Sequence, residues 1–328
     1  MKKKILALLL VACFAAGVVS ARGSREADPE AFPTRSVNGI IQWGAGGGTD
    51  LLMRPLATIA QEYLGVSIVV RNMPGATGSI AFHYVYDLPA DGYNLLMGAE
   101  NPALYRALGI SNLTYEDFEP VFIIGDETVG VIVRGDSPFR TFTDLINHAL
   151  ANPGTVTLGT SGRGGVPWVV GAFISSATGA TFNQIPYESD AAKIAALLAG
   201  EIDFSVAAVP AGITAHEAGT IRYISMMATT PVPALPHVPL AITEFPAFNR
   251  YLPWGMFRGV FVRGGTDQRV IDRLSAAFVA AGNRASYQEF LAGRFVNFLG
   301  YTGEQARQYV RNWQTNTVRA LEASGALN

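Results

Sequence analysis

A glycine-rich segment near the amino-terminal end constrains this chain most strongly. Residues 44–48 hold four glycines in five positions, after an apolar run at residues 37–43 and before a helical pattern at residues 51–64. A strand that opens into a glycine turn and then a helix start exposes consecutive N–H groups beside the partial positive charge of the helix. The segment therefore predicts a backbone-built anion site, and we expect it to bind a carboxylate.

Nucleotide-binding loops share this outline but differ in their residues. A dinucleotide fingerprint, G-x-G-x-x-G, would need glycine where Thr49 stands, and a phosphate-binding P-loop would need a lysine that residues 42–50 do not contain. A turn that merely requires a positive φ angle is the remaining structural alternative. Four glycines exceed what one turn needs, so the pattern favours ligand contact.

The first residues are typical of an export signal. Lys2, Lys3 and Lys4 precede an apolar stretch at residues 5–19, and small residues end at Ala21. We predict a signal peptide at residues 1–21, a flexible tether at 22–35, and a periplasmic or other extracytoplasmic location. Residues 10–13 also match a lipoprotein box, so lipid anchoring through Cys13, the only cysteine, stays open.

Composition narrows the class of protein further. The chain has 328 residues, 49% of them hydrophobic and 15% charged, which is enough for two lobes. A formal net charge of −2 and the lack of a basic stripe argue against a nucleic-acid partner. Outside the signal, no apolar run reaches the ~18 residues of a transmembrane helix.

Strand and helix patterns alternate along the chain and predict an α/β fold. Loops at 43–49, 72–78 and 98–102 follow successive predicted strands, so they meet at one edge of a parallel sheet. The same strand, glycine loop and helix start recur at residues 156–167. We predict two lobes across a cleft, each a mostly parallel sheet flanked by helices. Lobe 1 comprises residues 36–129 and 254–328, and lobe 2 comprises residues 130–253.

The residues give little support to catalysis or metal binding. Ser161 lies between a predicted strand and helix, but Arg163 stands where the nucleophile elbow G-x-S-x-G needs glycine. A serine-type hydrolase using Ser161 is therefore the weaker alternative. The four histidines are dispersed, so we predict no metal, no cofactor and no catalytic residue.

Several short motifs together resemble one known family. The chain is similar to the extracytoplasmic solute receptors of tripartite tricarboxylate transporters, the Bug family, from about Val37 onward. The motifs that carry this resemblance lie at residues 43–50, 72–79, 89–96, 160–164, 185–187, 200–203 and 235–239.

This resemblance implies a type II, Venus-flytrap binding protein that does not catalyse a reaction. It implies a small organic carboxylate held mainly by main-chain N–H groups and ordered water, and delivery to membrane permease subunits. We also expect a monomer. Two departures are notable: acidic Glu188 and Asp190 stand where the family more often has a lysine and glycine, and Glu100 is acidic at the cleft edge. They leave room for an amino acid whose ammonium meets Asp203 or Glu100. A ligand sensor for a membrane signalling protein would need the same surfaces.

Both lines of reasoning nominate a set of ligand-binding residues. The loops supply N–H groups and hydroxyls. Arg163 either pairs with a carboxylate or is solvated, Trp43 either walls the pocket or packs in the core, and Asp50 either faces the cleft or supports its own helix. The nominated residues are Trp43, Ala45, Gly46, Gly47, Thr49, Asp50, Asn101, Thr160, Ser161, Gly162, Arg163, Tyr187 and Asp203.

Overall fold

The computed structural model describes residues 31–252 and 254–327. Alternation of strands and helices is confirmed along most of this length. The strands are β1 Val37–Ile41, β2 Ile68–Asn72, β3 Asn94–Ala99, β4 Phe118–Glu127, β5 Val129–Arg134, β6 Thr157–Thr160, β7 Asn183–Pro186, β8 Phe204–Ala208, β9 Ile221–Met226, β10 Met256–Arg263 and β11 Asn297–Tyr301. The helices are α1 Gly48–Leu64, α2 Ser79–Tyr86, α3 Phe142–Ala151, α4 Val166–Thr178, α5 Asp190–Ala199, α6 Val209–Glu217, α7 Ala241–Glu244, α8 Gln268–Gly282, α9 Ala285–Ala292 and α10 Gly303–Ser324.

The strands form two sheets, as the two-lobe prediction requires. The first has the order β11-β4-β10-β3-β1-β2, and the second has the order β7-β6-β8-β5-β9. The expectation of mostly parallel sheets is corrected, because both are mixed. Strand β10 runs antiparallel to β3 and β4, and β5 runs antiparallel to β8 and β9.

The reversed directions of β5 and β10 have a simple physical origin. Strands of βα units run toward the cleft, so that their carboxyl ends meet there. A strand that enters from the other sheet starts at the cleft and must run away from it. Thr128 joins β4 of the first sheet to β5 of the second, and β10 enters the first sheet after β9 of the second. The amino ends of β5 and β10 therefore lie at the cleft with the glycine loops.

Each sheet is covered by helices on both faces. In the first lobe, Leu52 and Phe278 pack on one face and Phe82 on the other, all with no exposed surface. In the second lobe, Phe142 and Leu197 lie in the two corresponding cores. Helix α1 turns its apolar face to the sheet and ends at Gly65, which has φ 78°.

The last helix contacts both lobes. Val310, in its first half, belongs to a core of the first sheet, whereas Leu321, near its end, lies in a core of the second. Trp254 donates a hydrogen bond from Nε1 to Thr317 Oγ1 at 3.0 Å. The division of the chain into lobes at 129/130 and 253/254 stays a prediction. Helix α10, which was assigned to lobe 1, also packs against a core of the second sheet.

The described residues before β1 are anchored, which corrects the end of the predicted tether. Phe32 is buried and its ring packs edge-on against Tyr93, with centroids 4.9 Å apart. The Thr34 N–H donates to the Tyr93 hydroxyl at 2.9 Å. The polar composition of residues 22–35 predicted a flexible tether and gave no sign that Phe32 is buried. The predicted signal peptide, Cys13 and tether residues 22–30 lie outside the described part.

Candidate functional site

The first glycine loop ends at the amino-terminus of helix α1. Gly47 is the N-cap residue and has extended backbone angles. Asp50 accepts a hydrogen bond from the Gly46 N–H at 3.1 Å and from Asn72 Nδ2 at 3.0 Å. Burial raises the pKa of the Asp50 carboxyl, but Arg54, the Gly46 N–H and Asn72 outweigh burial and lower it overall. Asp50 is therefore ionised, and its hydrogen bonds stabilise the conformation of the glycine loop.

The second lobe faces this helix end with another helix end. Helix α5 begins at Asp190, and its N-cap Ser189 accepts a hydrogen bond from the Ala192 N–H at 3.1 Å. Asp190 Oδ2 in turn accepts from the Gly48 N–H at 3.4 Å. The Asp190 carboxylate therefore lies between two helix amino-termini, one from each lobe, where negative charge is favoured.

Hydrogen bonds close the cleft around this point. They join main-chain and side-chain groups of loops that are far apart in the sequence, which keeps the two sheets in contact. Besides Gly48 to Asp190, the bonds that cross are Gly44 N–H to Glu188 O at 3.2 Å, Thr77 Oγ1 to Ser161 O at 3.3 Å, and Asn101 Nδ2 to Gly164 O at 2.8 Å.

A small cavity lies between the loops. Its volume is about 30 Å³. This volume counts where the centre of a water-sized sphere fits, and one water needs roughly 10–15 Å³ of it, so the space holds about two waters. An organic solute of several carbon atoms therefore needs the lobes to separate or side chains to move. The cavity is lined by Trp43, Gly47, Gly48, Thr49, Glu100, Asn101, Ser161, Val166, Ser189, Asp190, Lys193, Val206, Ala208, Met256 and Arg258.

Arg258 brings a buried positive charge into the site. Its guanidinium is 2% exposed, and Nε lies 2.9 Å from Oε1 of fully buried Glu127. Strand β10 is antiparallel to its neighbours, so Arg258 is in register with Ala99 and Gly125, near the cleft ends of β3 and β4. Burial raises the pKa of Glu127, and the charge of Arg258 opposes that rise.

Lys193 supplies the second buried cation. Its Nζ lies 2.8 Å from Asp190 Oδ1 and donates to Ser161 Oγ at 3.2 Å. Burial raises the pKa of Asp190, but Lys193, then Arg258 and the Gly48 N–H, lower it overall. Asp190 is thus a charged carboxylate held by both lobes.

Two acidic residues line the cavity, and of these Glu100 forms no salt bridge to a described residue, whereas Asp190 is paired with Lys193. Glu100 is 1% exposed and lines the cavity directly after β3. Its Oε2 atom forms no hydrogen bond to any described residue. Burial raises the pKa of this carboxyl to about 7, against the opposing charge of Arg258.

The structure brings five of the nominated residues to the cavity: Trp43, Gly47, Thr49, Asn101 and Ser161. These come from both lobes, from the loops that the strand order was expected to bring together. Their role in ligand binding stays a prediction. Ala45 and Gly46 lie on the solvent side of the same loop, and Thr160 is buried, with Oγ1 accepting from the Gly162 N–H at 3.4 Å.

Asp203 was predicted to lie in the cleft, but the structure places it against Thr157, away from the cavity. Its Oδ2 accepts hydrogen bonds from the Thr157 N–H and Oγ1, both at 2.7 Å. Thr157 begins strand β6, and Asp203 directly precedes the parallel strand β8, so both lie at the ends of the strands away from the cleft. Asp203 therefore braces the far edge of the sheet and cannot meet a ligand in the cavity.

Three other nominated residues lie outside the cavity lining. Tyr187 packs against a core of the second lobe, and exposed Arg163 lies with its guanidinium 5.9 Å from the Trp168 ring centroid. Gly162 has φ 83°, and a Cβ there would lie 2.7 Å from Thr77 Oγ1. Gly162 thus allows the lobes to approach, and Arg163 adopts the solvated alternative.

Arg258, Lys193 and Asp190 were missing from the nominated set, although each left a signal. Arg258 interrupts the apolar run at residues 256–262, and a charge there is unusual unless it is paired or functional. Lys193 is the one lysine after Lys4, in a chain that otherwise uses arginine for its basic positions. Asp190 was noted as a departure from the family pattern but was not placed at the cavity. Gly48, Glu100, Ser189 and Met256 also line it.

Two mixed sheets closing on a cavity at their strand ends define the class of two-lobed solute-binding proteins. The model of the tripartite tricarboxylate transporter family receptor matches residues 52–325, and this chain belongs to that family. The resemblance stated from the motifs is thereby confirmed. Within the described ranges, no helix is long and apolar enough to cross a membrane.

Relatives agree with this assignment along most of their length. A protein encoded in the gbd 5' region of Cupriavidus necator is 29% identical over 270 residues, covering 81% of this chain and 80% of that protein. The structure of periplasmic binding protein BugD has a TM-score of 0.83 and 25% identity, covering 90% of this chain and 99% of that one. An R. palustris protein solved with adipate, Rpa4515, has a TM-score of 0.81 and 25% identity, covering 90% and 98%.

Proposed function

We propose that this chain is an exported receptor that captures a small carboxylate between its lobes and delivers it to the permease subunits of a tripartite transporter. The observation that supports this most directly is the pairing of two helix amino-termini at one cavity, with the Asp190 carboxylate between them. A site that already stabilises a carboxylate can take the carboxylate of a ligand when Asp190 moves aside. The adipate bound to Rpa4515 agrees with this ligand class.

The mechanism is ligand-dependent closure. In the open form the Gly48 N–H group loses Asp190, its partner from the second lobe, and a solute carboxylate takes its place. Contacts from Ser161 and Lys193 then reach the solute when the lobes approach. Because each lobe supplies part of the site, ligand binding favours the closed form, whose surface the permease can recognise.

A thermal-shift screen of mono-, di- and tricarboxylates tests the proposal, together with native mass spectrometry of co-purifying ligand. A ligand at 100 times its Kd adds about 2.7 kcal/mol, which raises Tm by about 5–10 °C for lobes of this size. A bulky residue at Gly47 would crowd Gly44 O, 3.3 Å from the added Cβ, and Ser189. We expect Gly47→Val to fold but lose the shift, while Gly293→Ala keeps it. A wild-type protein that no carboxylate stabilises contradicts the proposal.

One contact favours a second function, that of a serine hydrolase. The Ser161 Oγ and Lys193 Nζ atoms lie 3.2 Å apart, as in serine–lysine hydrolases. The Asp190 carboxylate 2.8 Å from Nζ argues against it, because an ion-paired ammonium has no lone pair with which to accept the serine proton. Hydrolysis of nitrophenyl esters that disappears in Ser161→Ala would favour the hydrolase. Equal background rates in both proteins support the receptor.

A further inference from the structure

The charges around the cavity do not balance. Arg258 is paired with Glu127, and Lys193 is paired with Asp190, at 2.9 and 2.8 Å. Glu100 is left over: it lines the same cavity, it is 1% exposed, and its Oε2 has no hydrogen-bond donor in the described part of the chain. A buried carboxyl oxygen without a hydrogen-bond donor is costly, so a ligand group that donates to it gains affinity.

The position of Glu100 indicates what that partner is. Glu100 follows β3, and the anion-binding start of α1 follows the adjacent strand β1, so the acid and the N–H groups share one cavity. A second carboxylate of a ligand would be repelled by Glu100 and by Asp190. An ammonium group would be attracted to both and could donate to Glu100 Oε2.

We propose, building on the proposed function, that the solute is an amino acid. Its carboxylate replaces Asp190 at the Gly48 N–H, and its ammonium donates to Glu100. Asp190 keeps its ion pair with Lys193 and adds a second negative charge near the ammonium. Simple di- and tricarboxylates lack the cation that this arrangement calls for, so the amino group is the specificity determinant.

Proton exchange at Glu100 provides an independent readout. The charged groups that face it are Arg258 from β10, Glu127 from β4, and Asp190 from α5 with its partner Lys193. The titratable hydroxyls near it are those of Tyr105, Tyr115 and Tyr309, and burial raises the pKa of each. Burial raises the pKa of Glu100 to about 7. Closure over a simple carboxylate therefore promotes proton uptake by Glu100. The affinity of the protein for that carboxylate falls as pH rises from 6 to 8. An ammonium keeps Glu100 ionised, so an amino acid binds without uptake across that range.

The experiment compares matched pairs that differ only in the amino group: alanine with propionate, aspartate with succinate, and glutamate with glutarate. Isothermal calorimetry at pH 6 and 8, in buffers of different ionisation enthalpy, gives affinity and proton uptake. For at least one pair we expect the amino acid to bind at least about tenfold more tightly, a difference of ~1.4 kcal/mol. It should bind without proton uptake.

Two variants test whether the Glu100 carboxyl causes the preference for amino acids. Glu100→Gln should remove the preference, by weakening the amino acid at least about tenfold and leaving the simple carboxylate unchanged or tighter. Glu322→Gln, at an exposed position on α10, should keep it. Equal or tighter binding of the simple carboxylates by the wild type, or a preference that survives Glu100→Gln, overturns this inference and leaves the receptor function intact. Binding of neither member of any pair, nor of other carboxylates, overturns the receptor function and this inference with it.

Discussion

The carboxylate of Asp190, in the second lobe, accepts a hydrogen bond from the backbone N–H of Gly48, in the first, at 3.4 Å. Residues 142 positions apart thus meet at the start of a helix. This contact places an internal carboxylate where the glycine loop was expected to bind a solute. It also places Arg258 beside the same glycine, because a Cβ at Gly48 would lie 2.7 Å from Arg258 Nη2.

Gly48→Ala should weaken ligand binding at least about tenfold, because the added methyl group displaces Arg258 and crowds Asp190 Oδ2 at 3.3 Å. Overpacking of a buried site costs about 1–3 kcal/mol, so the free energy of unfolding should fall by that amount. Calorimetry and urea denaturation measure the two effects. Gly293→Ala is the control, since its Cβ makes an ordinary 3.4 Å contact with Glu289 O. Unchanged affinity in Gly48→Ala would show that the helix start is not part of the site.

Arg258→Met should lower the free energy of unfolding by about 3–5 kcal/mol, because it leaves the carboxyl of Glu127 buried without its ion-pair partner. The double variant Arg258→Met, Glu127→Gln should recover much of this loss. Arg311→Ala removes an exposed ion pair with Glu304 and should change stability by less than about 1 kcal/mol. Urea denaturation of the four proteins tests this, and equal effects of Arg258→Met and Arg311→Ala would refute it.

Glu100 should make the unliganded protein less stable as pH rises from about 5 to 8. Its folded pKa of about 7 lies above its ordinary value of 4.5, so the folded state binds the proton more tightly than the unfolded state between these values. The stabilisation is full below pH 4.5 and is lost as pH rises through 7, by up to about 3 kcal/mol. In Glu100→Gln this loss should vanish. Denaturation curves at pH 5 and 8 compare the two proteins, with Glu322→Gln as a control that should behave like the wild type.

The acetylation rate of Lys193 should report whether the lobes are closed. Lys193 is the one lysine after Lys4, and its side chain is 2% exposed in the closed form. Acetylation at this residue requires opening, so a ligand at 100 times its Kd should slow it about 100-fold. Peptide mapping by mass spectrometry follows Lys193 directly, and acetylation of the α-amine in the same sample serves as the internal control. A labelling rate at Lys193 that is indifferent to a bound ligand would contradict closure over this residue.

Local patterns were sufficient for the architecture. Strand, glycine loop and helix start recur at residues 37–64 and 157–178, and each is a short-range signal that the structure confirms. The mixed sheets were not predictable in this way, because the direction of β5 and β10 depends on which sheet the chain has just left. Phe32 was missed for a similar reason: its partner Tyr93 is distant in sequence.

The sequence by itself determined the family, the two lobes and the glycine loop at the start of α1, because these depend on residue types and spacings within short segments. Tertiary structure decided which side chains share the cavity. Arg258 and Glu127 reach it through antiparallel strand register, Asp190 and Lys193 reach it across the cleft, and Asp203 is carried to the far edge of its sheet. Burial, which depends on all of these contacts at once, leaves the Glu100 Oε2 atom without a hydrogen-bond donor among the described residues. In our proposal this atom makes Glu100 the acid that selects the ligand.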